Sequence, residues 1–195
     1  MGRARLRRRA VIRAAVVGTR LHARAPCDAL ERVHETDAPI VVAFDGSEEA
    51  RGAVRAAAGL FPHRTLLVVS IWEPGLAMAA TAPMPDPWAP GYGMVPPDQY
   101  QTVERLQQEH ADATAEAGAA IARAAGAQAE ALAVPDLRDV ATALLEVADD
   151  RDAGAIVIGP RGLGRVEAKL FGSVSRKLLH DARRPVVVVR DPAAT

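Results

Sequence analysis

Runs of apolar residues without polar alternation recur along the chain. The strongest runs are residues 39–44, 65–71, 155–158 and 185–189, which are rich in Val, Ile and Leu, and a weaker run covers residues 128–134. Such runs are typical of strands that are buried on both faces of a parallel sheet. The pattern therefore predicts five buried strands.

Segments with helical periodicity separate these runs. Ser47 is predicted to cap a first helix that reaches about Gly59, and a long helix is predicted over residues 98–125. Two shorter helices are predicted over residues 137–148 and 173–181. This alternation predicts an α/β fold with a single doubly wound, parallel five-stranded sheet and helices on both faces.

The long helix is predicted to bury an apolar stripe whose members are three to four residues apart. The stripe consists of Val103, Leu106, His110, Ala113, Ala117, Ile121 and Ala124. Before this helix, residues 73–97 contain seven prolines, so regular structure is not expected there. A loop of this length inside a compact domain is usually functional.

The charge of the chain is divided unevenly. Residues 1–26 contain eight Arg and no acidic residue, and the rest of the chain keeps 16 basic against 24 acidic residues, a net charge of −8. An acidic domain disfavours binding of nucleic acid. We expect residues 1–37 to be a disordered basic extension or the product of a start codon assigned too far upstream. A functional basic arm and an export signal are the alternatives.

Residues 38–191 are predicted to form one domain, followed by a tail at residues 192–195. A single cysteine excludes an intrachain disulfide, and no apolar run reaches the roughly 18–20 residues that cross a bilayer. We therefore expect a cytoplasmic protein with no membrane partner. The five histidines lack the spacing of metal ligands, so no metal site is predicted from the protein alone.

The most informative segment begins at Gly159, directly after the fourth predicted strand. Gly162 follows, and after nine intervening residues Gly172-Ser173 opens the last predicted helix. Glycine lets backbone N–H groups approach an anion, and a helix N-terminus carries unpaired donors at the positive end of its dipole. Residues 159–184 also contain seven basic and two acidic residues. The segment therefore predicts a phosphate site.

Three predicted strand ends should meet near this segment. Asp45, Ile71 and Gly159 lie at or next to the carboxyl ends of their strands. Open α/β sheets bind ligands outside these ends, so we expect the three residues to line one crevice.

The order of three segments resembles the universal stress protein family, in its ATP-binding subgroup. The segments are the strand and turn Val41–Ser47, the strand Leu67–Ile71 with its continuation to Pro74, and the glycine motif followed by Arg184–Val189. The resemblance covers residues 38–191. It implies a Rossmann-like fold of the adenine nucleotide alpha hydrolase type, and ATP, with Mg²⁺, as the bound cofactor.

The resemblance also implies roles for single residues. Asp45 would lie near the adenosine and an ATP-bound magnesium ion, Ala43 and Phe44 would border the base, and Ile71 would contact adenine. The loop for ribose and phosphate would contain Ile158, Gly159, Arg161, Gly162, Gly172, Ser173, Val174 and Ser175. The last strand, Val186–Val189, resembles the edge through which such proteins form homodimers.

The function implied by the resemblance is that of a dimeric, ATP-dependent regulator in the stress response. The chain has neither a P-loop nor a G-x-S-x-G elbow, and no catalytic residue is predicted. One alternative is a slow ATPase or self-phosphorylating protein with Ser173 and Ser175 as acceptors, and another is a scaffold that binds no nucleotide. The loop at residues 73–97 is predicted to close over the base and to favour adenine over guanine.

Overall fold

The computed structural model describes residues 13–17, 37–74, 97–159 and 172–190. Within these ranges six strands and four helices follow one another. They are β1 (Arg13–Val17), β2 (Ile40–Ala43), α1 (Glu48–Leu60), β3 (Thr65–Trp72), α2 (Pro97–Ala124), β4 (Gln128–Pro135), α3 (Val140–Asp150), β5 (Ala155–Ile158), α4 (Ser173–Asp181) and β6 (Val186–Arg190). None of the helices in these ranges is long and apolar enough to cross a membrane.

The sheet has the strand order β1-β6-β5-β2-β3-β4. The five strands from β2 to β6 are parallel, which confirms the predicted parallel sheet. This parallel part begins in its middle with β2, adds β3 and β4 on one side, and then adds β5 and β6 on the other. The order of the strands therefore reverses between β2 and β5, which is where ligands bind in sheets of this kind.

β1 is a sixth strand that the sequence pattern does not predict. It pairs antiparallel with β6, with Val17 opposite Val186. The predicted disorder of residues 1–37 is therefore wrong for Arg13–Val17, whose apolar residues extend the sheet. β5 and β1 flank β6 on its two sides, so β1 covers the edge at which the homodimer is predicted, and the homodimer through Val186–Val189 stays a prediction.

The hydrophobic core is divided between the two faces of the sheet, as predicted for helices on both faces. On one face, α1 and α2 pack against the sheet, and Val54 and Ala119 are fully buried there. On the other face, α3 and α4 contribute Leu144 and Leu178, which are also fully buried. The strands are apolar throughout because both of their faces are covered.

The face of α2 that contacts the sheet differs from the predicted stripe. Leu106 and four further members of that stripe, His110, Ala113, Ala117 and Ala124, are exposed. The described residues of α2 that are buried are Ala111, Ala115, Gly118, Ala119 and Ala122. Alanines occur all around this helix, so their spacing does not identify the buried face.

Gly118 allows α2 to approach the sheet closely. A Cβ atom at this position would lie 2.7 Å from Cγ1 of Val68 and 2.8 Å from Cδ1 of Phe44. Both distances are shorter than a van der Waals contact, and both neighbours are buried core residues. The glycine is therefore required by packing, because any larger residue would push the helix away from β3.

We expect Gly118→Ala to lower the free energy of unfolding by about 1–3 kcal/mol, because overpacking outweighs the gain of about 1 kcal/mol in helix propensity. Gly59→Ala in α1 is the matched control, since nothing lies within 4 Å of its Cβ position. That exchange should stabilise the protein by up to about 1 kcal/mol. Urea denaturation measures both changes, and equal stability of the two variants would contradict the close packing.

Candidate functional site

The carboxyl ends of three strands lie side by side at one edge of the sheet. Ala43 ends β2, Ile158 ends β5, and Ile71 is the last residue but one of β3. Because β2 pairs in parallel with both β3 and β5, these ends adjoin one another. The structure thus brings together the strand ends from which the sequence predicts a crevice.

Asp45 lies exposed in the turn that follows β2. Its Oδ1 accepts a hydrogen bond from the Ser47 N–H at 3.0 Å, and Gly46 adopts a φ of +80°, which favours glycine. Ser47 then caps α1 by accepting from the Ala50 N–H at 3.2 Å, as predicted. Asp45 therefore shapes this turn and also places a negative charge beside the strand ends.

Gly159, at the end of β5, packs against the first turn of α1. The residue is buried, and a Cβ atom here would lie 3.2 Å from the carbonyl oxygen of Glu49. That is tighter than an ordinary van der Waals contact with a backbone atom that cannot move aside. Gly159 is therefore required by the approach of β5 to α1, a role that its place in the glycine motif does not reveal.

A cavity of about 370 Å³ lies between the end of β3 and α2. Its walls combine apolar and polar groups, and the residues that line it include Asp45, Ser70, Ile71, Trp72, Gln107 and His110. The exposed Leu106 also lines it, which explains why a large apolar residue of α2 faces away from the core. Ile71, which is predicted to contact the base, thus lies in the wall of this cavity.

Phe44 follows β2 directly, and its predicted place beside the base stays a prediction. Its side chain is 1% exposed and packs beneath α2 at Gly118. Its N–H donates to the Val69 carbonyl at 2.9 Å, which ties the end of β2 to β3. The side chain of Phe44 therefore belongs to the core and does not face the crevice, whereas Ala43 is half-buried at the strand end.

The start of α4 differs from the starts of α1 and α3. Ser47 and Asp139 cap those helices with side-chain hydrogen bonds, but Gly172 precedes α4 and supplies none. The first turn of α4, which begins at Ser173, also contains no acidic residue. Among the described residues, no side chain thus caps the N–H groups at this positive end of the helix dipole.

Ser175 adds an unusual polar atom to this helix start. The residue is fully buried, and its Oγ has no hydrogen-bond partner in the described part of the chain. A buried hydroxyl without a partner costs about 1–3 kcal/mol. An oxygen-rich ligand at the start of α4 would satisfy it.

A polar cluster ties α4 to the start of α3. Lys177 Nζ donates to Asp139 Oδ2 at 2.6 Å and to Thr142 Oγ1 at 2.9 Å. The Asp139 carboxylate also accepts from the Thr142 N–H at 3.0 Å and from its hydroxyl. The hydrogen bond from Lys177, followed by those from Thr142, holds the pKa of Asp139 well below its usual range. This cluster fixes the position of α4.

Some of the predicted site lies beyond the described residues. Arg161, Gly162 and residues 75–96 of the long loop belong to this part, so the roles predicted for them stay predictions. In the ranges that are described, no group of three His, Cys, Asp or Glu side chains is arranged to hold a metal ion.

We expect Asp139→Ala to lower the free energy of unfolding by about 1 kcal/mol at neutral pH, because it removes the cap of α3. The lowered pKa means that the carboxylate stabilises the fold above the unfolded-state pKa of about 4 and loses this effect as the pH falls below it. The difference from wild type should therefore shrink between about pH 5 and pH 2.

Asp150→Ala at the exposed last residue of α3 is the control for this prediction. An acid at a helix C-terminus opposes the dipole, so its removal should leave stability unchanged or slightly raised. Thermal unfolding across the pH range measures both variants. A cost for Asp139→Ala that is constant with pH would contradict the role of the charge.

Comparison with known proteins identifies the relatives of this chain. The model of the universal stress protein family matches residues 38–190. A universal stress protein of Mycolicibacterium smegmatis is 31% identical over 156 residues, which cover 79% of this chain and 48% of the relative, so the chain spans about half the length of that curated relative.

Two solved structures are similar over most of their length. A universal stress protein from Archaeoglobus fulgidus shares 27% identity with a TM-score of 0.53 and covers 78% of this chain and 98% of its own. A member of the family from Burkholderia pseudomallei has the same identity and TM-score, with 79% and 96% covered. Together with the family match over residues 38–190, these similarities show that the chain belongs to the universal stress protein family.

Proposed function

We propose that this protein binds ATP together with Mg²⁺ and acts in the cytoplasm as a nucleotide-dependent regulatory protein of the stress response. The observation that carries the proposal is the start of α4. There, within the described part of the chain, a helix N-terminus without a side-chain cap coincides with the fully buried hydroxyl of Ser175, which has no hydrogen-bond partner. Phosphate oxygens accept hydrogen bonds from both kinds of donor.

Charge decides which helix start would receive the phosphates. The first turn of α1 contains Glu48 and Glu49 and is already capped by Ser47, so an anion would be repelled there. The start of α3 is occupied by the Asp139 carboxylate. Of the three helix starts that can be compared, only that of α4 has neither an acid nor a side-chain cap.

The cavity beside Ile71 supports a site for the base. It combines apolar walls with a few polar groups, which is typical of pockets for flat heterocycles. β3 and β5 are separated by β2, so their ends are about 10 Å apart. A nucleotide could therefore extend from the cavity at β3 across Ala43 and Asp45 to the segment between β5 and α4.

The donor set at the crevice also fits a magnesium ion bound to the phosphates. Asp45 is exposed, and Mg²⁺ prefers carboxylate oxygens together with phosphate and water. When bound, Mg²⁺ would neutralise charge on the phosphates. Asp45 would hold it on the side of β2, while the first turn of α4 and Ser175 would hold the phosphates.

The alternative of a slow ATPase or self-phosphorylating protein requires a reactive acceptor. Ser173 is exposed and Ser175 is buried, so Ser173 is the more accessible of the two predicted acceptors. Incubation with ATP and measurement of ADP over hours separates a binding protein from an ATPase. Chromatography that detects nucleotide released on denaturation separates both of these from a scaffold that binds none. The closure of residues 73–97 over the base, with its preference for adenine, stays a prediction.

We expect Ser175→Ala to change affinity and stability in opposite directions. Loss of a hydrogen bond to charged phosphate should weaken ATP binding roughly tenfold in calorimetry. Without nucleotide the variant should be more stable than wild type by up to about 1–3 kcal/mol, because a buried hydroxyl without a partner is removed.

Thr142→Ala provides the control, since its hydroxyl lies in the first turn of α3 and is paired with Asp139 at 2.6 Å. This variant should lose stability and keep its affinity for ATP. If Ser175→Ala bound ATP as tightly as wild type, the start of α4 would not be the phosphate site. Failure of the wild-type protein to bind ATP at millimolar concentration would overturn the proposed function itself.

A further inference from the structure

The cavity beside the end of β3 has a second wall, which α2 forms. Val103, Gln107, His110 and Thr114 line it, and their spacing of three to four residues places them on one side of the helix. Leu106 lies beside them. Three members of the apolar stripe that the sequence predicts for α2, namely Val103, Leu106 and His110, thus line this cavity.

Gln107 lies at the outer end of the cavity, beside the end of β3. α2 runs antiparallel to β3, because it connects β3 with the parallel strand β4, and it contacts β3 where Gly118 meets Val68. From that contact Gln107 lies a rise of about 16 Å along the helix. Trp72, the last residue of β3, lies about 13 Å from Val68 in the same direction. Gln107 and Trp72 are therefore at similar heights above the sheet.

The inner end of the cavity lies beside the turn that follows β2. A Cβ atom at Gly46 would lie 3.9 Å from Cγ2 of Thr114, and Asp45 lines the cavity at the same turn. β2 lies between β3 and β5 in the sheet. A base at the Gln107 end would therefore leave its sugar and phosphates on the side of Asp45 and β5, as the proposed function requires.

The side chain of Gln107 contains an unsatisfied acceptor. The residue is half-buried, and its Oε1 is shielded from water and has no hydrogen-bond partner in the part of the chain that the structure describes. A carbonyl oxygen that has lost its water needs an N–H or O–H donor, because the cost of its desolvation is otherwise not recovered. The terminal torsion of glutamine is soft, so the amide can turn towards a ligand in the cavity.

The neighbouring polar groups increase the demand of this cavity for donors. Asp45 and Glu73 line it, and an ionised carboxylate only accepts hydrogen bonds. The hydroxyl of Thr114 already donates to the His110 carbonyl at 2.9 Å, so it offers a ligand only its acceptor capacity. Ser70 and the His110 ring can also donate. A ligand that presents N–H groups near Gln107 therefore suits the cavity.

Purine bases differ in what they offer to such an acceptor. Adenine has an amino group at C6, which donates, and guanine has a carbonyl oxygen there, which accepts. Glutamine pairs with adenine through two hydrogen bonds, one from N6 to its Oε1 and one from its Nε2 to N7. On guanine the corresponding atoms, O6 and N7, are both acceptors. Glutamine can satisfy only one of them, and its own Oε1 stays without a donor.

We propose that Gln107 selects the base of the bound nucleotide, with its Oε1 accepting a hydrogen bond from the 6-amino group of adenine in the cavity between α2 and the end of β3. The inference rests on the proposed binding of ATP and adds the source of its base specificity. A side chain of α2 then distinguishes adenine from guanine.

The test compares nucleotides that differ only in their base, on the full-length protein. Calorimetry measures the affinities of wild type and Gln107→Leu for ATP and for purine riboside triphosphate, which lacks the 6-amino group. Wild type should bind ATP roughly tenfold more tightly than the purine analogue. In Gln107→Leu the affinity for ATP should fall to that for the analogue, which itself should change by less than about twofold. The same ratio in both proteins would overturn the inference.

Gln107→Glu separates the acceptor from the donor of the amide. A carboxylate keeps the acceptor for the 6-amino group and cannot donate to O6 of guanine. The variant should therefore keep the preference for ATP over the purine analogue and bind GTP less well, relative to ATP, than wild type does. Gln107→Leu should lose the preference for ATP over GTP. If it kept that preference in full, the base would be selected elsewhere and the inference would be wrong.

Gln108→Leu is the matched control, because Gln108 is the next residue of α2, is exposed and does not line the cavity. It should change neither ratio of affinities. In urea denaturation without nucleotide, Gln107→Leu should unfold at a midpoint at least as high as that of Gln108→Leu, since it removes an unsatisfied acceptor. A clearly lower midpoint would show that the amide is already paired within the chain, which contradicts the inference.

The experiment also separates this inference from the proposed function. A wild-type protein that binds none of the three triphosphates overturns the proposed function and the inference with it. A wild-type protein that binds ATP, while Gln107→Leu discriminates among the bases as wild type does, overturns the inference alone.

Discussion

The burial of five strands on both faces is the constraint from which the rest of the structure follows. Strands covered by helices on both sides must be connected by crossovers, and this makes the sheet from β2 to β6 parallel. All carboxyl ends then lie at the same edge. Because the chain fills one side of β2 before the other, the strand order reverses between β2 and β5, the place where sheets of this kind bind ligands.

The same constraint brings several helix starts to this edge, since α1, α3 and α4 follow β2, β4 and β5. Their N–H groups need acceptors, and two of the helices supply these from their own sequence at Ser47 and Asp139. The third begins at Gly172, which has no side chain to offer. One residue before each helix thus decides whether the helix start is capped by its own side chain.

The sequence predicts those parts of the fold in which one pattern has one physical solution. The β-branched runs at residues 155–158 and 185–189 can be buried only as strands, and Ser47 before Glu48 and Glu49 is an unambiguous helix start. In α2 the pattern does not predict the buried face, because alanines occur on several sides of the helix. The buried face is selected by the contact of Gly118 with Phe44. β1 is likewise not predicted, because its sequence does not by itself determine its structure. Its five residues, which begin with Arg13, form a strand by pairing with the edge of β6.

At the candidate site, the sequence predicts where a residue lies along the strand ends more readily than what its side chain contacts. Asp45 and Ile71 could be placed at the crevice because strand ends are predictable, but the burial of Phe44 depends on where α2 lies. Gly159 fits the glycine motif, and yet the contact that requires it is with Glu49 of α1. One glycine can serve packing and a ligand loop at once, and sequence spacing cannot separate these two constraints.

Two buried polar residues, Ser175 within α4 and Arg184 beyond its end, differ in how their polar atoms are satisfied. Arg184 lies beyond its C-terminus, where two carboxylates and a carbonyl oxygen surround the guanidinium, so the cost of burying the charge is offset within the chain. Ser175 lies in its first turn and leaves its hydroxyl without a partner in the described residues. Protein interiors rarely retain such an atom, because alanine would remove the cost at almost no change in volume. The satisfied group therefore serves the fold, and the unsatisfied one is the group for which we propose a phosphate ligand.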